Sequence, residues 1–312
     1  MEDYIVSARK YRPKTFDEVA GQDAITSTLV NAITNNQLAQ ALLFTGPRGV
    51  GKTSCARILA KMINSSIDND NQDFAYNIFE LDAASNNSVD DIRNLTEQVR
   101  IPPQLGKYKV YIIDEVHMLS TSAFNAFLKT LEEPPKHCIF ILATTEKHKI
   151  IPTILSRCQI YDFKRITNKD IVEYLIEICD KEGVKFESEA LDIIANKADG
   201  AMRDALSIFD RILSYNNKEI TVKDVSINLN VLDQEIYSNT IDLILENKIP
   251  ELLLLIDTVI SKGFEGINYI SGLSTYCRNL LISKDEKTII LLDYSDDSKQ
   301  KIIEQAKKIS PN

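Results

Sequence analysis

Short apolar runs separated by amphipathic stretches dominate the first half of the chain. The runs predict buried strands, which are typically four to eight residues long, at 41–45, 77–81, 109–114, 138–143 and 159–163. A helix predicted at 122–133 lies between the third and fourth strands and ends before Pro134. Its apolar side chains recur at helical spacing and share one face: Phe124, Phe127, Leu128 and Leu131. Strands that alternate with helices indicate an α/β fold with a parallel sheet.

Helical periodicity replaces the strand pattern after about Phe163. Helices are predicted at 168–182, 188–197 and 201–215, another begins near Thr221, and the region from about Leu232 onward is helical in pattern. We therefore predict three domains, at 1–165, 166–230 and 231–312. The helical pattern at 299–308 is followed at once by Ser310, Pro311 and Asn312, so we expect the third domain to be incomplete.

Residues 46–54, GPRGVGKTS, fit the phosphate-binding loop pattern G-x-x-x-x-G-K-[ST]. The loop follows the first predicted strand and precedes a helix predicted at 54–64, which is the context that this loop requires. Glycine lets several backbone N–H groups approach a polyphosphate, and the helix N-terminus favours anions. Lys52 supplies a positive charge for the outer phosphates, and the Thr53 hydroxyl can hold Mg²⁺. The loop predicts binding of a nucleoside triphosphate through Gly46, Pro47, Gly49, Val50, Gly51, Lys52, Thr53 and Ser54.

The strand predicted at 109–114 ends in two carboxylates, Asp114 and Glu115. In nucleotide hydrolysis the first can bind Mg²⁺ through water, and the second can polarise the attacking water. An ordinary strand with an acidic turn has the same pattern, but the phosphate loop beside it favours the hydrolytic interpretation. His117 has no second His or Cys at ligand spacing, so a surface or structural role is favoured over a metal site.

Bulk properties narrow the function classes further. The 312 residues include 36 basic and 45 acidic ones, a net charge of -9, so any DNA contact has to be local or shared with other subunits. The five cysteines are scattered without a C-x-x-C pair, which indicates free thiols in a reducing compartment. No apolar run reaches membrane-spanning length and the N-terminus lacks the features of a signal peptide, so a cytoplasmic protein without membrane partners is predicted.

Several segments together resemble one family. They are residues 8–13 (ARKYRP), 19–22 (VAGQ), 114–119 (DEVHML), 128–135 (LKTLEEPP) and 154–158 (ILSRC). The chain is similar along nearly its whole length, and most strongly at 8–211, to the gamma/tau subunits of bacterial DNA polymerase III. Members of that family are AAA+ clamp loader ATPases.

The resemblance implies a parallel AAA+ sheet with helices on both faces, then a helical lid domain and a helical collar domain. It also implies ATP and Mg²⁺ as ligands, and hydrolysis within a hetero-pentamer of clamp-loader subunits that opens a sliding clamp and places it on primed DNA beside the polymerase core.

Individual roles follow from the same resemblance. Lys52 and Thr53 would hold phosphate and Mg²⁺, Asp114 would hold Mg²⁺, and Glu115 would be the catalytic base. Thr144 would be the first sensor of the γ-phosphate and Arg203 the second sensor on the lid. Arg157 would be the arginine finger that reaches a neighbouring subunit's ATP. The adenine pocket would include Arg12, Pro13 and Val19.

Two further expectations concern DNA and zinc. Residues 81–93 match the segment that faces the central channel of clamp loaders, so Ser85 and Arg93 are predicted to touch the DNA backbone. The family usually carries a four-cysteine zinc module between the loop helix and the second strand, but residues 62–73 contain no cysteine. We therefore expect no zinc.

Two alternatives to a clamp-loader motor stay open. One is a non-catalytic scaffold that holds ATP as a structural ligand, although the presence together of four residues argues against it: Lys52, Asp114, Glu115 and Arg157. The other is a different AAA+ DNA-processing motor, such as a branch-migration motor. Nothing in the sequence resembles a polymerase active site.

Overall fold

A computed structural model of the chain describes residues 5–64, 77–104, 106–215, 219–229, 232, 234–261, 263–292, 294 and 296–309. Two compact units are present. The first contains residues up to Ile166 together with Ala201–Arg203, and the second contains Thr167–Gly200 together with residues from Asp204 onward. The division into three domains stays a prediction.

The first unit is an α/β unit. Its helices are α1 (Ser7–Lys10), α2 (Asp23–Thr34), α3 (Lys52–Asn64), α4 (Val89–Val99), α5 (Thr121–Glu132) and α6 (Pro152–Leu155). Its strands are β1 (Ala41–Thr45), β2 (Ile78–Asp82), β3 (Lys109–Asp114), β4 (Cys138–Thr144) and β5 (Gln159–Asp162). All five strands predicted from the apolar runs are present, with ends that differ by one residue at most.

The five strands form one parallel sheet in the order β2-β3-β4-β1-β5. Because the strands are parallel, their carboxyl ends meet at one edge of the sheet. Thr45 at the end of β1 pairs with Thr144 at the end of β4, and Asp82 at the end of β2 pairs with Asp114 at the end of β3. The strand order reverses at β1, and ligands bind open α/β sheets at such a reversal.

Alternating side chains of the strands enter two separate cores. On one face, Tyr111 and Ile113 of β3 pack with side chains of α4 and α5. On the other face, Val110 and Ile112 pack with side chains of α2 and α3. The sheet is therefore covered by helices on both faces, as the resemblance implied.

Helix boundaries follow local signals. The Ser120 hydroxyl accepts from the Ala123 N–H at the start of α5, and α5 ends at Glu132, ahead of Pro134. Ser88 and Asp91 form a capping box at the start of α4. Helix α3 begins at Lys52, two residues before its predicted start, because the last residues of the loop already form its first turn.

The second unit is mostly helical. It contains α7 (Asn168–Glu182), α8 (Ser188–Ala198), α9 (Met202–Tyr215), α10 (Val222–Leu229), α11 (Gln234–Leu245), α12 (Ile249–Ser261), α13 (Gly266–Ile282) and α14 (Asp296–Lys308), the first residues of α9 being grouped with the first unit. Helical periodicity was predicted to replace the strand pattern after Phe163, and this is confirmed except for one short strand pair. Strands β6 (Lys185–Phe186) and β7 (Glu219–Ile220) form a parallel pair, which is too short to produce a periodic signal. None of the helices within the described ranges has the length and apolar character needed to cross a membrane.

Candidate active site

The phosphate loop occupies the carboxyl edge of the sheet, between the end of β1 and the start of α3. Gly46 has φ of 140° and Gly49 has φ of 77°, conformations that favour glycine. A Cβ at Gly46 would overlap the carbonyl oxygen of Phe163, and a Cβ at Gly49 would lie 2.9 Å from the Cβ of Ala201. These two glycines are therefore needed both for backbone conformation and for close packing.

Lys52 is buried, with 6% of its surface exposed, at the start of α3. Its ammonium group donates to the carbonyl oxygens of Gly46 at 2.7 Å and Pro47 at 2.6 Å. Burial lowers the pKa of Lys52, and the negative charges of Glu115 and Asp114 partly oppose that shift. A cation is thus held against the loop where a phosphate would need it.

Thr53 and Asp114 come together although 61 residues separate them in sequence. The Thr53 hydroxyl donates to Asp114 Oδ2 at 2.7 Å, and the Glu115 N–H donates to Asp114 Oδ1 at 2.9 Å. A hydroxyl and a carboxylate side by side are oxygen ligands of the kind that Mg²⁺ prefers. The residues present therefore fit a Mg²⁺ ion, which Thr53 and Asp114 would hold. Among the described residues, no group of three or more His, Cys, Asp or Glu could hold a metal ion.

Glu115 follows β3 directly and adopts a left-handed backbone conformation, with φ of 48° and ψ of 43°. This conformation is unfavourable for residues other than glycine and is often found at functional sites. The carboxylate Oε2 accepts from the backbone N–H of Thr145 at 3.3 Å and from its hydroxyl at 3.0 Å. The backbone turn and these two donors fix the direction of the predicted base.

Thr144, the predicted first sensor, is fully buried at the end of β4. Its hydroxyl lies 3.0 Å from His117 Nδ1 and accepts from the Glu146 N–H at 3.0 Å. The residue that contacts the Glu115 carboxylate is the next one in the chain, Thr145. No role was predicted for Thr145. Two identical residues side by side at a strand end give no sequence signal for which of them contacts the carboxylate.

A cleft of about 590 Å³ opens at this edge of the sheet, lined by Arg48, Glu80, Asp82, Asp114, Glu115 and Arg203. Arg203 lies in the first turn of α9, and its N–H donates to the carbonyl oxygen of Gly49 at 3.4 Å. The predicted second sensor is therefore placed at the phosphate loop.

Three of the lining residues were not predicted as site residues: Arg48, Glu80 and Asp82. Arg48 lies inside the loop motif at a position where the pattern accepts any residue, so the motif itself gave no signal. Glu80 and Asp82 are on β2, which the sheet order places beside β3. Arg57 of α3 donates to Glu80 with two nitrogens, at 2.7 and 2.5 Å, which balances one of the carboxylates in the cleft.

Arg157 is not among the residues that line this cleft. Its guanidinium donates to Glu132 Oε1 at 2.6 Å and to the Thr153 carbonyl oxygen at 2.7 Å. About a third of the side chain, 33%, is exposed. An arginine held at the surface away from its own chain's cleft is compatible with a role at a neighbour's site.

The adenine pocket was predicted to include Arg12, Pro13 and Val19. Val19 is buried, and one of its methyl groups would lie 3.5 Å from a Cβ at Gly51, so it packs beneath the loop. Arg12 and Pro13 are half-buried and do not line the cleft.

Of the remaining loop residues that were predicted to bind the nucleotide, Val50 is buried and Ser54 is half-buried on α3. Gln22 was not predicted as a site residue, yet its amide nitrogen donates to Lys164 O at 2.7 Å and Val50 O at 3.5 Å, which braces the loop.

The two predicted DNA contacts are exposed. Ser85 donates to Asp82 Oδ2 at 3.2 Å, just after β2, and Arg93 forms an ion pair with Asp90 at 3.3 Å on α4. Both side chains are thus at the surface beside carboxylates, and their contact with DNA stays a prediction.

Two family models match the chain. The one described as DNA polymerase III, delta subunit, matches residues 21–167. The one described as DNA polymerase III clamp loader subunit, ATPase lid domain, matches residues 170–218.

Solved structures with a similar fold include RuvB of Thermotoga maritima, described as a Holliday junction branch migration motor. The TM-score is 0.56 at 22% identity, and the match covers 76% of this chain and 80% of that one. At this level of identity the similarity concerns the fold alone.

Relatives with curated names are similar along most of the chain. DNA polymerase III subunit tau of Bacillus subtilis is 43% identical over 289 residues, 88% of this chain and 51% of that protein. Subunit tau of Escherichia coli is 39% identical over 275 residues, 84% of this chain and 43% of that protein. The chain thus spans about half the length of these relatives. DNA polymerase III subunit gamma of Buchnera aphidicola is 33% identical over 322 residues, 98% of this chain and 89% of that protein. The chain belongs to the family of DNA polymerase III gamma and tau subunits.

Proposed function

We propose that this chain is an ATP-hydrolysing motor subunit of a replicative clamp loader, which loads a sliding clamp onto primed DNA. The observation that carries the proposal is the contact between Thr53 and Asp114 at 2.7 Å, with Lys52 and Glu115 beside it. Family membership supports the clamp-loader assignment, and the contents of the cleft support hydrolysis.

The side chains of the cleft divide the work of hydrolysis. Lys52 and the loop N–H groups bind the phosphates of the substrate ATP, because they offer positive charge and donors at a helix N-terminus. Glu115 accepts a proton from the attacking water, and its two hydrogen bonds from Thr145 aim the carboxylate. Arg203, whose N–H contacts the loop at Gly49, acts as a sensor of the bound phosphates.

Mg²⁺ is the metal that this site would hold, through Thr53 and Asp114. When bound, it supplies positive charge that stabilises the phosphates during transfer. Zinc has no role in the proposal.

Arg157 is proposed to act in trans, at the ATP of a neighbouring subunit. A guanidinium at a loose phosphoryl transition state stabilises negative charge better than water does. In the isolated chain Glu132 holds Arg157. Hydrolysis would then depend on assembly with other clamp-loader subunits. The sliding clamp, primed DNA and the polymerase core are proposed as further partners, in the cytoplasm.

ATP turnover tests the proposal. The purified chain is measured alone, then with its partner subunits, and then with clamp and primed DNA added. We expect low turnover alone and strong stimulation by the complete mixture, and Glu115→Gln should lower the stimulated rate about a hundredfold, to a residual rate that is still measurable. Absence of stimulation by clamp and DNA would contradict the proposal.

The same measurement addresses the alternatives. A scaffold subunit would bind ATP without turnover in any mixture. A DNA-processing motor of another kind would show ATP turnover that is stimulated by DNA without the clamp. The fold similarity to RuvB at 22% identity does not favour that alternative.

A further inference from the structure

His117 has a more constrained environment than a lone histidine on a turn suggests. It lies in the 3-10 turn Val116–Met118, two residues after Glu115, and only 6% of its side chain is exposed. Nδ1 lies 3.0 Å from the Thr144 hydroxyl, and Nε2 lies 3.1 Å from Glu146 Oε2. Both ring nitrogens of this buried imidazole therefore have partners.

The partners decide where the ring proton lies. A carboxylate can only accept, so Nε2 carries the proton that is donated to Glu146. The Thr144 hydroxyl accepts the Glu146 N–H at 3.0 Å and can donate its own proton to Nδ1. These bonds form a closed ring of three residues, which ties the end of β4 to the turn after β3.

The residue between Thr144 and Glu146 is Thr145, the donor of both hydrogen bonds to Glu115 Oε2. His117 holds the residues on either side of Thr145, and its own Nδ1 lies 3.4 Å from the same carboxylate oxygen. In this arrangement Nδ1 and Oε2 are both acceptors, so the imidazole acts on Glu115 through Thr145, whose neighbours on both sides it holds.

We propose that His117 is a positioning residue that fixes the Glu115 carboxylate in the orientation needed for hydrolysis. This rests on the proposed function, in which Glu115 is the base. The need for such support is physical, because Glu115 has an unfavourable left-handed backbone and 34% of its side chain is exposed. A carboxylate in that situation samples several rotamers unless neighbouring groups restrict it.

The first test compares kcat and KM for ATP in the complex with partner subunits, clamp and primed DNA. His117→Ala should lower kcat about tenfold with KM within about twofold, because a misplaced base slows chemistry without weakening phosphate contacts. His117→Gln, which can donate and accept at similar positions, should recover most of the rate. His137→Ala is the matched control, since that imidazole lies just before β4, at the amino edge of the sheet, and contacts the Val99 carbonyl oxygen, and it should leave kcat unchanged.

A second comparison separates positioning from general loss of structure. In a Glu115→Gln background, His117→Ala should cause no further loss of rate, because its effect passes through the carboxylate. A further tenfold loss there, or an unchanged kcat in the single variant, would overturn the proposal. If His117→Ala does not fold, a second variant, Glu146→Ala, removes the partner of His117 Nε2 from a half-buried position. This variant should lower kcat about threefold. An unchanged kcat in Glu146→Ala would overturn the proposal as well.

A crystal structure of the full-length His117→Ala chain gives a readout that does not need turnover. We expect the Glu115 carboxylate to move by about 1 Å or more from Thr145, a displacement large enough to impair catalysis. A carboxylate that stays in place would overturn the positioning role even if the complex hydrolyses ATP. Lack of turnover by the unaltered complex, with the displacement present, would instead overturn the proposed function alone.

Discussion

Lys52 is at once charged, buried and bonded to carbonyl groups of its own loop. The pKa of this lysine is lowered by burial, and the carboxylates of Glu115 and Asp114 work in the opposite direction. The side chain is therefore kept close to two negative charges in an environment with little water. At the scale of single residues, the cleft is organised by such short polar contacts around the loop.

Replacing Lys52 with Ala should weaken ATP binding about a hundredfold, because a charge-assisted contact to phosphate is lost, with a free energy of about 3 kcal/mol. Titration with a fluorescent ATP analogue measures the effect. Lys61→Ala, on the exposed end of the same helix α3, is the control and should bind as the unaltered chain does. Equal binding by the Lys52 variant would contradict the assignment of the loop.

Thr53→Val keeps the shape of the side chain and removes the hydroxyl that donates to Asp114. We expect nucleotide binding without Mg²⁺ to change little, whereas the strengthening by Mg²⁺ should fall by about tenfold or more, because one oxygen ligand is lost. Calorimetric titrations with and without Mg²⁺ measure both quantities. Thr34→Val, at an exposed position of α2, should preserve the Mg²⁺ effect, and a preserved effect in Thr53→Val would rule out the metal assignment.

At the scale of elements, the alternation of side chains along β3 builds both cores. Tyr111 faces α4 and α5, and its ring lies 4.9 Å from that of Phe79 and 5.7 Å from that of Phe140. Its hydroxyl is buried without a hydrogen-bond partner in the described part of the chain. The aromatic rings thus stabilise the sheet, whereas the buried Tyr111 hydroxyl without a hydrogen bond lowers the free energy of unfolding.

Tyr111→Phe should therefore raise the free energy of unfolding by about 1 kcal/mol, measured by urea denaturation at pH 7. The difference should grow above pH 10. Burial raises the pKa of Tyr111 from 10.0 to about 12, so the folded protein retains a proton that the unfolded chain loses, and the stability of the unaltered chain falls with pH in that window.

The change in the free energy of unfolding should have the opposite sign at Tyr276, whose buried hydroxyl donates to Gln305 Oε1. Tyr276→Phe should lower the free energy of unfolding, because Gln305 loses a partner. A loss of stability in Tyr111→Phe, or the same sign for both variants, would contradict this account of the hydroxyls.

At the scale of the whole molecule, the described residues form a cleft that includes Asp114, Glu115 and Arg203, and Arg157 is not among the residues that line it. Arg157 is bonded to Glu132 and Thr153 in its own chain. In the proposed function this arginine completes a neighbour's site, which would make hydrolysis conditional on assembly.

Arg157→Ala should leave ATP binding by the isolated chain intact and reduce the turnover of the assembled complex about a thousandfold. Binding titrations and steady-state turnover with partners measure the two effects. Arg211→Ala, an exposed arginine in the second unit, is the control for loss of a surface charge. Equal loss of ATP binding in the Arg157 and Lys52 variants would disprove action in trans.

Much of the fold was predictable because its signals are local. Apolar runs predicted all five strands of the main sheet, and Pro134 predicted where α5 ends. The pair β6-β7 was missed because two residues cannot show a period. In the site, Lys52, Thr53, Asp114 and Glu115 were predictable from motif spacing and their context.

The sequence by itself determined the sheet, the phosphate loop and the carboxylates after β3, because each depends on residue types at short spacing. The tertiary structure decided which side chains meet across the carboxyl edge. Strand pairing places Glu80 and Asp82 of β2 at the cleft. Glu115 has a left-handed backbone directly after β3, and hydrogen bonds join Thr145 to Glu115 and Thr144 to His117. Such arrangements depend on contacts between residues far apart in the chain, which no local pattern contains.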